Sequence, residues 1–330
     1  MSNFFTLVSI ENTKLWKRLS TKVMLIIMIV IIIAATGINK YYNLSNKVSN
    51  TTKISENWKQ ELQKNVVMQK NQLRVLQSET GKMAKFIMGS TKKSIAENEY
   101  RINNNIKPES QSSIWTRMSK FNTNAEYGLI IALLLIISCS ALVAGEFSEG
   151  TMKMMISRPY KRWEILSAKL IATLLYGLVL LVTTFLLNFI LIGIYDGFNG
   201  MGAKEMMWTS SKIIYIPAVL KTIIIFGLDF LTVIVFVILS FAISAISRSR
   251  SIATGFSLFL LLAGVRIIQT IAIFFSWGKY IPFGMSDFSS IVNTGACIEG
   301  TTLAFSIGIS AIYTVIFCAV GYLVFEKRDI

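Results

Sequence analysis

Residues 145–169 read GEFSEGTMKMMISRPYKRWEILSAK and carry the densest polar chemistry between two apolar stretches. Glu146 and Glu149 stand at the close of the first stretch. Lys153, Arg158, Lys161, Arg162 and Lys169 lead into the second. Pro159 disfavours a helical residue before it and suits the first turn of a helix after it. The segment therefore reads as two short helices with an elbow, the first starting near Thr151. A second polar set, Asn188, Asp229, Arg266 and Gln269, falls inside apolar runs. A charge at the centre of a spanning helix costs roughly 2.5–3.5 kcal/mol on insertion scales, so Asp229 and Arg266 each need a partner or water. At 1.5 Å per residue, Asp229 lies about 12 Å from Lys221, Arg266 about 13.5 Å from Phe275 and Asn188 about 12 Å from Asp196. These depths put all three in one layer. An Asp229–Arg266 ion pair is expected, with Asn188 or Gln269 nearby, either locking helix packing or marking a polar point on a translocation path.

Other chemistries are excluded. The 330 residues include no His, which removes a His general base, a His-ligated zinc and a Ser-His-Asp triad. The three cysteines, Cys139, Cys297 and Cys318, are scattered and do not suggest a disulfide framework. No G-x-x-x-x-G-K-[ST] loop occurs, the nearest fragment being Gly81-Lys82-Met83, so ATP would have to act on another subunit. No convincing acid–base pair appears, and neither catalysis, a bound metal, a cofactor nor nucleic-acid binding is expected of this chain.

The composition supplies the setting. The chain is 53% hydrophobic and only 15% charged, against about 25% charged for an average soluble domain. Apolar segments at 23–38, 127–145, 170–195, 222–246, 252–275 and 303–325 predict an all-α integral membrane protein with six spanning helices. The first is short and should extend into its flanks. Its Ala34-Ala35-Thr36-Gly37 stretch is loosely compatible with signal cleavage, but the long leader with Trp16 favours an uncleaved helix.

Short loops set orientation. With the N-terminus inside, the inner set comprises Lys14, Lys17, Arg18, Lys22, Lys153, Arg158, Lys161, Arg162, Lys169, Arg248, Arg250, Lys327 and Arg328. The outer short loops, 196–221 and 276–302, hold only Lys204, Lys212, Lys221 and Lys279. Both termini are therefore expected in the cytoplasm. Residues 1–22, with aromatics interleaved among Lys and Arg, predict an interfacial amphipathic helix.

Residues 39–126 then form a large external insertion with fifteen Lys/Arg and seven Asp/Glu. Ile54, Trp58, Leu62, Val66, Leu73, Leu76, Met83 and Ile87 recur at helical spacing, predicting an amphipathic helix or helical hairpin. Asn103-Asn104-Asn105 and Pro108 break it, and Trp115, Met118 and Phe121 make a shorter apolar group. Its net positive charge would attract anionic headgroups or wall polymers. Segment 276–302 is too polar to span and reads as a re-entrant helix, an interfacial helix or a plain external loop. Gly193 and Gly197 form a weak GxxxG at the end of the third span.

The 145–169 segment resembles the permease subunits of type-2 ATP-binding-cassette (ABC) transporters. It matches their acidic-x-x-x-Gly-Thr signature through Glu146 and Glu149-Gly150-Thr151. The proline segment follows at Ser157-Arg158-Pro159, basic residues at Lys161-Arg162, and a lysine opening the third span at Lys169. Lys14-Leu15-Trp16-Lys17-Arg18 and Lys279-Tyr280-Ile281-Pro282-Phe283 are supportive, and the resemblance extends along essentially the whole chain. It implies that this loop holds the coupling helix, seated in a cleft of a separate ATPase subunit. Glu146, Glu149, Gly150, Thr151, Met152, Lys153, Met154, Met155, Ile156, Arg158 and Pro159 would carry that contact. The resemblance further implies two ATPase copies holding ATP and Mg, a second permease chain (identical or paralogous), and export of an amphiphile such as an antimicrobial peptide, lipid or drug. Together with the Lys/Asn/Ile-rich usage it points to a bacterial cell membrane, where the Asn43 and Asn50 sequons carry little meaning. Two alternatives stay open. One is an ion-coupled secondary transporter; the other is a membrane sensor using 39–126 as its receptor region.

Overall fold

The computed structural model describes residues 4–46, 57–78, 82–108, 113–152, 160–209, 212–295 and 301–327. Among these described residues, six helices are long and apolar enough to span a membrane: α2 (Leu19–Asn46), α6 (Tyr127–Ser148), α7 (Arg162–Asp196), α8 (Ala218–Ser247), α9 (Arg250–Phe274) and α11 (Leu303–Lys327). The protein is a multi-pass, mostly helical membrane protein. α1 (Phe4–Lys17) precedes α2, and the chain bends at Arg18. The first span thus starts earlier and runs further than the 23–38 core, and the leading helix is shorter than 1–22.

α6 and α8 form the centre. Their most apolar stretches are 78% and 67% buried, against 11–33% in the other four spans. Lipid tails are as apolar as leucine, so burial in a bundle follows close packing by small residues rather than hydrophobicity. Ser138, Cys139, Ser140, Ala141, Ala144 and Gly145 of α6 are buried, as are Ser240, Ala242, Ser244 and Ala245 of α8. The neighbours approach as closely. A Cβ on Gly177 of α7 would come 2.5 Å from Leu135 Cδ1, and one on Gly321 of α11 would come 3.2 Å from Ala242 Cα. Gly193 serves no such contact, because the ring of Phe198 lies over it. In α9 a π-turn at Leu260–Gly264 interrupts the helix just before Arg266.

The interhelical segments gather at two ends. The loop end carries α1, the last turn of α6, the first turn of α7, the α8–α9 turn and the last turn of α11. The insertion end carries α3 (Trp58–Ser78), α4 (Lys82–Asn103) and α5 (Ile114–Asn124). α3 and α4 lie side by side, joined by Lys70–Glu99 at 2.6 Å and Gln69 Nε2 donating to Ser94 Oγ at 2.9 Å. Ser113 caps α5 by accepting from Thr116 N–H, and Ile114 and Met118 are buried with Ile192 and Phe226.

One element adds to the helical architecture: β1 (Lys204–Trp208) and β2 (Ile213–Pro217) pair antiparallel as a small hairpin in the short loop 196–221. Ile213, Ile214, Tyr215 and Ile216 are β-branched or aromatic residues, which fit a pleated surface better than a helix. Residues 276–295 fold back against the spans. A 3₁₀ turn (Ser276–Tyr280) and α10 (Phe288–Asn293) flank Phe283, whose ring packs 5.6 Å from Phe236 and 5.8 Å from Phe317.

Candidate functional site

α1 places Leu7, Glu11 and Leu15 at four-residue spacing on one stripe, and all three are buried. The stripe lies against α7, with Trp16 edge-on to Tyr176 at 5.6 Å and the Tyr176 hydroxyl donating to Thr21 O at 2.8 Å. Glu11 meets Lys169 at the centre of this contact: Nζ to Oε2 is 2.8 Å, and both side chains are fully shielded. Lys169 also reaches Glu146 Oε2 at 2.7 Å. Lys14 closes the set, 2.8 Å from Glu11 Oε1 and 3.4 Å from Glu146 Oε1. Two carboxylates and two amino groups alternate in the set, so each buried polar head meets a partner of opposite character. Burial alone would raise the Glu11 pKa, but Lys169 and Lys14 outweigh it and hold the carboxyl below its ordinary value.

This quartet ties α1 to the two spans that bracket the 149–161 connection. Other contacts bind the same end together. Ser148 Oγ donates to Arg248 O at 3.3 Å, the Arg248 guanidinium lies over Phe147, and Arg162 Nη1 donates to Glu326 O at 3.2 Å. α7 opens with Lys161 N–H on Glu164 Oε2 at 2.9 Å.

Glu146 is therefore not an exposed acid available to another subunit. It sits inside α6, 5% exposed, with its carboxylate taken by two lysines. Glu149 is exposed where α6 ends, and Gly150 takes a φ of +71°, a conformation that suits glycine and turns the chain away. Thr151 Oγ1 donates back to Glu146 O at 3.3 Å, and Met152 is buried. Lys153, Met154, Met155, Ile156, Arg158 and Pro159 lie outside the described residues. The connection is shorter than 145–169, because α7 already begins at Arg162.

The intramembrane polar residues do not converge as expected, and the Asp229–Arg266 pair does not form. Asp229 is buried and its Oδ2 accepts from Asn122 Nδ2 of α5. Gly128 makes room for it, since a Cβ there would come 3.1 Å from the Asp229 side chain. Arg266 instead bonds Glu126 Oε1 at 3.0 Å on the exposed flank of α9, with Gln269 Oε1 at 3.4 Å. Gln269 Nε2 donates to Gly284 O at 3.2 Å. Asn188 Nδ2 donates to Thr184 O of its own helix at 2.9 Å. Depth put Asp229 and Arg266 at one level correctly enough for both to meet residues of the α5–α6 junction; facing direction separated them. Asp287, near Asp229 in a small polar cavity, caps α10 by accepting from Ser290 N–H at 3.2 Å, and burial raises its pKa.

Glu11, Asn122, Glu126 and Asp287 of these clusters went unread in the sequence. Glu11 had a signal, as the one acid on the apolar stripe of α1. Asn122 and Glu126 flank the α5–α6 junction and had none.

A family model described as "Protein of unknown function (DUF2705)" matches residues 81–330, which take in Glu146, Lys169, Asp229 and Arg266 but not α1. Two proteins of Bacillus subtilis (strain 168) are similar to this chain. "Uncharacterized protein YhcI" is 31% identical over 278 residues, covering 84% of this chain and 85% of that protein. "Uncharacterized membrane protein YdbK" is 24% identical over 204 residues, covering 61% and 78% respectively. The chain belongs to the DUF2705 family.

Proposed function

We propose that this chain is the permease subunit of an ATP-driven exporter in a bacterial cell membrane, moving an amphiphile such as an antimicrobial peptide, lipid or drug. The observation that carries this reading is the buried Glu11–Lys14–Glu146–Lys169 quartet. A transporter driven from outside its own chain needs a short connection that cannot move without moving the spans. Residues 149–161 join α6 to α7, and the quartet locks both helices to α1. A push on that connection would shift three helices together. In this reading Glu149, not Glu146, offers the acidic contact to the partner, and Glu146 anchors the connection from within.

In this reading, supported by the positive charge of the short loops, the loop end faces the cytoplasm and the insertion end the outside. ATP and Mg would be held by two copies of a separate ATPase, and a second permease chain would complete the pathway. The test is a mild-detergent pull-down from native membranes, comparing the wild type with Glu149→Arg. A Walker-containing ATPase recovered with the wild type and lost with Glu149→Arg is expected. A wild-type chain that comes down alone, or only with itself, overturns the reading and favours an ion-coupled transporter or a sensor.

A further inference from the structure

We propose that the cleft between α4, α5 and the β1–β2 hairpin binds a phosphate-bearing anion. Two adjoining cavities of about 290 and 150 Å³ open there and share Arg101, Lys120, Glu205 and Met206 as walls. Lys93 and Lys221 line the larger one and are themselves buried, at 8% and 5% exposure. Lys107 and Lys204 line the smaller. The cleft therefore presents six cations against two carboxylates, Glu97 and Glu205.

The carboxylates are already engaged. Glu205 Oε1 holds Lys221 at 2.8 Å and its Oε2 accepts from Thr116 Oγ1 at 3.1 Å, while Glu97 meets Lys93 at 3.5 Å. Arg101, Lys107, Lys120 and Lys204 have no ion-pair partner among the described residues and face the same space. Burial lowers the Lys93 pKa and outweighs the opposing pull of Glu97, with the nearby Lys221 ammonium adding to the lowering. A phosphate group supplies at least one full charge and several acceptor oxygens, which a guanidinium and converging ammoniums are suited to hold.

The cleft also lies at the membrane ends of spans. α5 runs into α6 within three residues, and Lys221 is in the first turn of α8. A lipid phosphate and a free phosphate are therefore both within reach. The placement does not depend on which side of the membrane the cleft faces, nor on an ATPase partner.

The test uses the purified full chain and an Arg101→Gln/Lys120→Gln variant, with Lys64→Gln on α3 as a charge-matched control away from the cleft. One arm titrates inorganic phosphate by calorimetry in a neutral detergent. The other compares, by native mass spectrometry, retention of phosphatidylglycerol and phosphatidylcholine from nanodiscs. Wild type and Lys64→Gln should bind, and the double variant should lose at least about tenfold in affinity or retention with its Tm unchanged. One decade corresponds to a single charge-assisted hydrogen bond. Binding in the first arm identifies free phosphate as sufficient; preferential phosphatidylglycerol retention in the second alone identifies the headgroup. Absence of wild-type binding in both arms, or equal binding by the double variant, overturns the site.

Discussion

Lys169 of the third span and Glu11 of the leading helix meet at 2.8 Å across 158 residues of sequence, both fully withdrawn from solvent. Neither charge is tolerable there alone, and Glu146 with Lys14 completes the balance. The contact fixes where α1 docks and makes the loop end of the bundle one unit.

Lys169→Met should be severely destabilising. It leaves Glu11 and Glu146 sharing Lys14, which is itself partly exposed, and breaking a buried pair costs roughly 3–5 kcal/mol. Removing the charge from both sides, as in Glu11→Gln/Lys169→Met, should cost less than the single change. Thermal unfolding of the four proteins of that cycle in detergent checks this; equal and additive losses would show that the pair contributes no coupling.

Acid should release α1. The Glu11 pKa lies below its ordinary value of 4.5, so its contribution is fully present above that value and is lost as pH falls through the lower folded one. Trp16 stacks edge-on against Tyr176 and reports the docking. The fluorescence change assigned to Trp16, by difference from Trp16→Phe, should appear only below about pH 4.5. With Glu11→Gln the acid step should be lost.

Asp229 should couple to Asn122 and not to Arg266. Asn122→Ala deprives a buried carboxyl of its donor, for a cost of about 1–3 kcal/mol, and Asp229→Asn should recover part of it. Asp229→Asn and Arg266→Gln should instead add within about 0.5 kcal/mol, as for sites without shared partners. Stability cycles on both pairs decide it, and a large Asp229–Arg266 coupling would contradict the observed geometry.

The sequence by itself determined the membrane class, the six spans and the approximate place of the helical breaks, because a bilayer demands some twenty apolar residues per helix and that demand is written locally. It also marked Asp229 and Arg266 as charges in need of partners, since the cost of desolvation does not depend on the fold. Which partner each took was decided only by tertiary structure. Depth along a helix follows from counting residues, but facing direction depends on how helices pack, and packing turned Arg266 to Glu126 and Asp229 to Asn122. The β1–β2 hairpin is local in sequence, its strands four residues apart, and Ala218 N–H donating to Ala203 O ties its base to the start of α8. Glu146 had the right sequence position to be an exposed contact, and became a buried anchor when α1 delivered Lys14 and α7 delivered Lys169 to the same point.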